Sequence, residues 1–183
     1  MIDWERLRAT LITRKRVTFS LPGFAPAAVL VPILVEPDQP ERLLFTVRHA
    51  DMRTHAGQIS FPGGRCDATD LDSAATAVRE AAEELAIAPA AIDILGELDD
   101  VPVPTQFMIT PVVAKVSGPF AFSPSPHEVA AIFSAPLDGL RYQFAGERTF
   151  MGVSYELHEY YFGEHRIWGA TARMVFQLLE ALR

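Results

Sequence analysis

Three carboxylates crowd one short stretch of this 183-residue chain: Glu80, Glu83 and Glu84. On a helix their spacing of i, i+3 and i+4 puts all three side chains on one face. Three negative charges held that close repel one another unless a cation sits among them. Hard divalent ions such as Mg²⁺ prefer oxygen ligands and usually bind through a few carboxylates plus the phosphate oxygens of a substrate. The chemistry indicated is metal-assisted hydrolysis of a phosphoanhydride, against the ordinary alternative of a solvated acidic helix face. Upstream stands Phe61-Pro62-Gly63-Gly64. A glycine pair lets backbone come close to a metal or phosphate at the turn before the helix.

Several elements must position these groups. Asp72 to Ile87 is dominated by Ala, Glu and Leu without Gly or Pro, the strongest helix signal in the chain, with Asp72 and Ser73 able to cap its start. Trp4, Leu7, Leu11 and Ile12 fall near helical spacing, so residues 2–12 are expected to form an amphipathic helix packed on the domain. Ala27 to Glu36, broken by Pro32, and Arg42 to Arg48 read as adjacent strands. Residues 49–70 read mainly as loop with a short strand at Gln58 to Phe61. Further strands are expected at Ile92 to Asp99, Phe107 to Val116 and Glu128 to Ser134. A hairpin turning at Gly163 joins Tyr155 to Phe162 with His165 to Ile167, and Ala170 to Leu182 closes the chain as a helix. The order predicts a mixed α/β sandwich whose long connections exclude simple βαβ repetition.

The segment from Gly64 through Arg79-Glu80-Ala81-Ala82-Glu83-Glu84-Leu85-Ala86-Ile87 resembles the Nudix box. That pattern is a glycine, a loop acid, then Arg-Glu, an apolar residue, any residue, Glu-Glu, any residue, Gly and an apolar residue. The chain departs from it in three ways: the loop before Arg79 is one residue longer, the loop acid is Asp67 or Asp70 in place of Glu, and Ala86 stands where Gly is usual. The last change matters little if the backbone there keeps negative φ. The longer loop, the Asp67 to Asp70 spacing, and Arg53, Gly57 and Phe61-Pro62-Gly63-Gly64 at their spacings resemble the coenzyme A pyrophosphatase subgroup. The likeness weakens at Arg48 and His49. Downstream, Ile109 to Val113, Glu128-Val129 with Pro136-Leu137, and Ile167 to Thr171 also look like family blocks, so it spans roughly residues 28–180.

The resemblance implies a Nudix-type α/β/α sandwich with a mixed sheet, a single domain over 1–183, and Mg²⁺ or Mn²⁺ as cofactor. It makes Glu83 and Glu84 the principal metal ligands, Glu80 a further ligand or the residue that activates water, and the Gly64 carbonyl a possible member of the set. Arg79, directed away from the ligand face, is expected to pair with Asp67 or Asp70 and fix the loop to the helix. Glu128 lies where many family members place an additional acid, and otherwise is a solvated loop acid. Arg53 and Arg48 are candidates for holding substrate phosphates, or else surface charges. The implied reaction is hydrolysis of coenzyme A and its thioesters to 3′,5′-ADP and 4′-phosphopantetheine. Its rivals are a Nudix enzyme for ADP-ribose or a dinucleoside polyphosphate, and a catalytically silent nucleotide-binding module.

Other features narrow the class. Half the chain is apolar (49%) and 21% charged, as in a packed globular protein. A net charge of −7 opposes nonspecific binding to nucleic acid or anionic membrane, so a polyanionic substrate needs local cations. Cys66 is the only cysteine, which excludes an intrachain disulfide. With no signal-like or membrane-length apolar run, the expectation is a cytoplasmic monomer or homodimer. The five histidines lack the paired spacing of a zinc site. Cys66 reads as a spectator thiol. Trp168 and Phe176 read as packing the last helix rather than stacking a base.

Overall fold

The computed structural model describes residues 1–49, 57–150 and 152–183. Its spine is β1 (Ala25–Val35), apolar on both sides and so suited to burial on both faces of a sheet. Side chains alternate: Ala28, Leu30 and Leu34 enter one core cluster, Val31 and Ile33 the other. Pro32, without an amide donor, falls between two registers. β1 pairs with β4 (Gly63–Arg65) through Ala27 to Val29 and with β2 (Arg42–Arg48) through Ile33 and Leu34. The Leu30 N–H points to that side, onto the Pro62 carbonyl at 2.8 Å. Two residues on, Pro32 meets a stretch where neither register asks a bond of it, which is why proline is tolerated here.

Along its whole length β1 runs parallel to β7 (Phe107–Ser117), and β7 carries β5 (Ile92–Glu97) and β6 (Val101–Val103) antiparallel to it. β2 also pairs with β3 (Ile59–Ser60) and β8 (Val129–Pro136). Among the described residues these make a mixed eight-stranded sheet. A second sheet of three contains β9 (Arg141–Phe150), β10 (Val153–Phe162) and β11 (His165–Ile167).

Helix α2 (Ser73–Leu85) covers one face of the large sheet, setting Ala77, Ala81 and Leu85 against Ala28, Leu30 and Leu34. On the other face, α1 (Trp4–Thr13) contributes Leu7 and Leu11, α3 (Gly169–Ala181) contributes Met174, Val175 and Leu178, and the small sheet contributes Tyr160 and Ile167. The result is an α/β/α sandwich with a mixed sheet. Truncating a fully buried leucine such as Leu85 to alanine in such a core costs roughly 2–5 kcal/mol.

Three details differ from the sequence reading. Ile12, placed on the apolar stripe of the first helix, is exposed. The segment 49–70 holds a second short strand, β4. The ten-residue β9 had no sequence signal because it is an edge strand paired only to β10 and mostly solvated, so burial imposed no apolar alternation on it. Among the described residues no helix is long and apolar enough to cross a membrane.

Candidate active site

Asp72 caps α2 by accepting the Ala75 N–H at 2.8 Å. The buried stripe of the helix runs Ala77, Ala81, Glu84, Leu85, so Glu84 occupies a core position by helical spacing. It is only 4% exposed, Glu80 is partly buried on the border of the stripe, and Glu83 faces solvent. Burial pushes the Glu84 carboxyl up to about 7; Arg48 opposes the shift, Glu128 and Glu80 add to it, and the Gly63 N–H holds the charged form. Glu80 is raised as well, first by burial, with Arg79 opposing and Glu83 and Glu128 adding.

The glycine pair is required by contact. A Cβ on Gly63 would lie 2.4 Å from the Ala28 carbonyl oxygen, and one on Gly64 2.5 Å from Glu80 Oε1. Missing side chains thus let β4 lie on β1 and bring its backbone onto two of the three helix carboxylates.

Arg79 locks the preceding loop to the helix. Of the two loop acids it takes Asp70, donating from Nε at 3.1 Å and Nη2 at 2.9 Å. Nη2 also donates to the Arg65 carbonyl at 3.2 Å. These Arg79 bonds, the Asp67 N–H and the Thr76 hydroxyl hold the Asp70 carboxyl far below the usual carboxylate range. Asp67 instead accepts from Thr69, closing the loop on itself. The expectation that Arg79 points away from the acidic face is corrected: Nη1 reaches Glu80 Oε1 at 2.8 Å and Glu83 Oε2 at 3.1 Å. One residue from Glu80 and four from Glu83, its long side chain reaches both while still holding Asp70.

The loop 118–128 closes the other end. Ser123 and Ser125 donate their N–H groups to the Leu85 and Glu84 carbonyls at 3.0 and 2.8 Å. They satisfy C-terminal acceptors that the helix cannot satisfy itself. The same loop ends in Glu128, exposed but close enough to shift Glu80 and Glu84. The sequence carried no signal for this tie, because backbone amides have no residue signature. Arg48, at the end of β2, lies close enough to Glu84 to oppose its shift, and its buried Nε, like those of Arg14, Arg16 and Arg42, has no hydrogen-bond partner among the described residues. Arg53 lies outside the described residues, as does His55.

Ala86 also departs from expectation. Its φ is +56° and ψ 31°, so the helix ends in a left-handed residue rather than one with negative φ. Its N–H donates to Ala82 and that of Ile87 to Ala81, an αL-type closure that glycine adopts without strain and alanine does not.

Cys66 is half-buried against the α2 core cluster. His158 stacks on Phe176 and His165 on Phe133. Trp168, expected to pack α3, is instead 47% exposed.

The donor chemistry fits a hard divalent ion: carboxylate oxygens from Glu80, Glu84 and Glu128, with the Gly64 backbone drawn so close to Glu80 that a Cβ there would collide with its carboxylate. As placed, no three His, Cys, Asp or Glu side chains among the described residues are gathered closely enough to hold one. Glu80 and Glu83 both accept from Arg79 Nη1.

Comparison with known proteins identifies the family. The NUDIX domain model matches residues 24–161. A protein of Pectobacterium atrosepticum named "Uncharacterized Nudix hydrolase NudL" is 40% identical over 158 residues, covering 83% of this chain and 80% of that one. Its counterpart in Escherichia coli K12 is 41% identical over 143 residues, covering 78% and 69%. Among solved structures, the M. smegmatis Nudix hydrolase RenU shares the fold with a TM-score of 0.53 at 20% identity, covering 64% of this chain and 74% of that one. The C. elegans Ap4A hydrolase binary complex shares it with 0.52 at 22%, covering 61% and 80%. From an acidic helix laid on a mixed sheet, a glycine turn against its carboxylates and these relatives, it follows that the chain belongs to the Nudix family of hydrolases.

Proposed function

We propose that this protein hydrolyses the pyrophosphate bond of coenzyme A and its thioesters, releasing 3′,5′-ADP and the corresponding 4′-phosphopantetheine, with Mg²⁺ or Mn²⁺ bound at the Glu80, Glu83 and Glu84 face. The observation that carries the chemistry is Glu84, an acid set into the apolar stripe of α2 and facing Gly63, Arg48 and Glu128. A divalent ion held there neutralises charge on the phosphates and acidifies water at the phosphorus. In this reading Glu80 or Glu84 takes the proton of the attacking water. Arg79 holds Glu80 and Glu83 in reach while Asp70 anchors it to the loop. Arg48, the cation whose field reaches Glu84, is suited to a substrate phosphate oxygen.

Substrate choice rests on Arg53, Gly57, Phe61-Pro62-Gly63-Gly64 and the lengthened loop with Asp67 and Asp70. Coenzyme A carries a 3′-phosphate that ADP-ribose lacks, and Arg53 is the cation assigned to it. The test is turnover of coenzyme A, ADP-ribose and a dinucleoside polyphosphate with each metal, the products identified by mass. Arg53→Ala should lower kcat/KM for coenzyme A roughly ten- to a hundredfold and affect 3′-dephospho-coenzyme A much less. Good ADP-ribose turnover without coenzyme A cleavage would reassign the substrate. Binding without cleavage of any of the three would make the chain a nucleotide-binding module.

A further inference from the structure

The loop acid that fixes Arg79 must itself be fixed. Among the described residues the Asp70 carboxylate accepts four hydrogen bonds: from Arg79 Nε at 3.1 Å and Nη2 at 2.9 Å, from the Asp67 N–H at 2.9 Å, and from the Thr76 hydroxyl at 2.8 Å. The Arg79 bonds cannot by themselves hold Arg79 in place, since guanidinium and carboxylate can swing as one unit. The Asp67 bond lies within the loop, where the Asp70 N–H returns one to the Asp67 carbonyl at 3.1 Å and Asp67 accepts from Thr69. That turn can shift as a body. Thr76 is the remaining donor, and it stands on α2.

Position and shape suit Thr76 to the task. It precedes Arg79 by three residues, so both side chains lie on one side of the helix and Asp70 bridges them. It is fully buried, so no water replaces its bond. Branching at Cβ restricts its χ1. Its one hydroxyl proton goes to Asp70, the nearer acceptor, with the Asp72 carbonyl farther off at 3.3 Å. On the other side of Arg79, Nη2 holds the Arg65 carbonyl at 3.2 Å, next to the glycine pair of β4, and Nη1 holds Glu80 and Glu83. A displacement of Asp70 therefore passes through one rigid guanidinium plane to the β4 backbone and to two of the three helix carboxylates.

We propose that Thr76 is a positioning residue of the candidate active site: its hydroxyl docks Asp70 on α2 and so sets the Arg79 guanidinium that holds Glu80, Glu83 and the Arg65 carbonyl. This role rests on the pyrophosphatase reading and adds to it a residue that acts without contact to the reacting atoms. Valine at this position keeps the shape and loses the donor, whereas serine keeps the donor.

The experiment has two arms. In chelator and without substrate, Thr76→Val should speed solvent exchange of the Arg79 Nε proton, followed by NMR, roughly tenfold, and Thr76→Ser should return it to the parent rate. In turnover of whichever pyrophosphate substrate the enzyme cleaves, Thr76→Val should lower kcat roughly tenfold with KM within about twofold, and Thr76→Ser should restore it. In an Arg79→Lys background, which lacks the fork to Asp70, the same change should alter kcat by less than about twofold. Thr76→Ala, smaller than valine, should reproduce both losses where valine does not fold. Parent-like exchange in the folded variant, a loss that serine does not restore, or an equal loss of kcat in the Arg79→Lys background would each overturn the role. Because exchange is read without substrate or metal, loss of the pyrophosphatase reading would leave that result standing.

Discussion

Two carboxylates in this molecule are buried to nearly the same depth, and their surroundings are opposite. Asp100, 7% exposed, accepts from Arg16 Nη2 at 2.6 Å, the Thr110 hydroxyl at 2.8 Å and the Phe19 N–H at 3.2 Å. Around it Arg16 also pairs with Glu97, and Arg14 with Asp99. Each acid in that cluster has an arginine. Glu84, 4% exposed, has the Gly63 amide and the field of Arg48, set against Glu80 and Glu128. Arg79, a further arginine on that side, is committed to Asp70, Glu80 and Glu83. In a buried cluster that serves only the fold each acid is matched by a cation and by donors, as around Asp100. One that leaves an acid raised toward neutrality beside two further carboxylates is suited to completion by a ligand.

Five measurements sharpen or break that contrast. The largest effect is expected from Glu84→Gln, which should lower kcat on the order of 10²-fold or more while the fold survives, since glutamine suits the helix nearly as well. Calorimetric Mg²⁺ or Mn²⁺ binding should vanish in the Glu83→Gln, Glu84→Gln double variant. Near-wild-type turnover in the folded single variant would remove Glu84 from the chemistry.

At the satisfied cluster the outcome should invert. Asp100→Ala leaves Arg16 and Thr110 without their buried acceptor and should cost about 3 kcal/mol of stability by denaturant unfolding. Metal affinity should stay unchanged. A weakened metal site in that variant would show that the two clusters are coupled.

The pH dependence separates them again. The folded state raises Glu84 from its ordinary 4.5 to about 7 and so favours the protonated acid. Its contribution is therefore present below pH 4.5 and lost as pH rises toward 7. In chelator, this should remove about 2 kcal/mol between pH 5 and 8, a slope that Glu84→Gln flattens and saturating Mg²⁺ offsets. Asp70 acts in the other sense, its contribution being lost only as pH falls below its ordinary 3.8. A chelated protein equally stable at both pH values would mean that Glu84 is not held near neutrality.

The smallest effect lies at the helix end shared by Glu84 and the loop of Glu128. Ala86→Gly relieves a left-handed alanine and should stabilise by about 1 kcal/mol, or a few degrees in Tm. Destabilisation would mean that the chain entropy lost by glycine outweighs the relieved strain.

What the sequence determined by itself was whatever depends on spacing within a few residues. Glu80, Glu83 and Glu84 share a face because a helix repeats every 3.6 residues, and Asp72 caps that helix because its carboxylate needs only the free N–H of Ala75, three residues along the chain. β1, β2 and β7 were legible from apolar runs that burial on both faces demands. The tertiary structure decided everything that depends on which distant segment arrives. Glu84, rather than Glu80 or Glu83, is fully buried because its stripe is the one laid on β1. Asp70 rather than Asp67 takes Arg79 because Thr76 and the Asp67 amide already hold it in place. Ala86 turns left-handed because residues 118–128 cross the end of α2 there. Trp168 stands half-exposed while Ile167 beside it is buried. None of these can be read from residue type, since each is set by contacts between segments that the chain separates and only the folded sheet brings together.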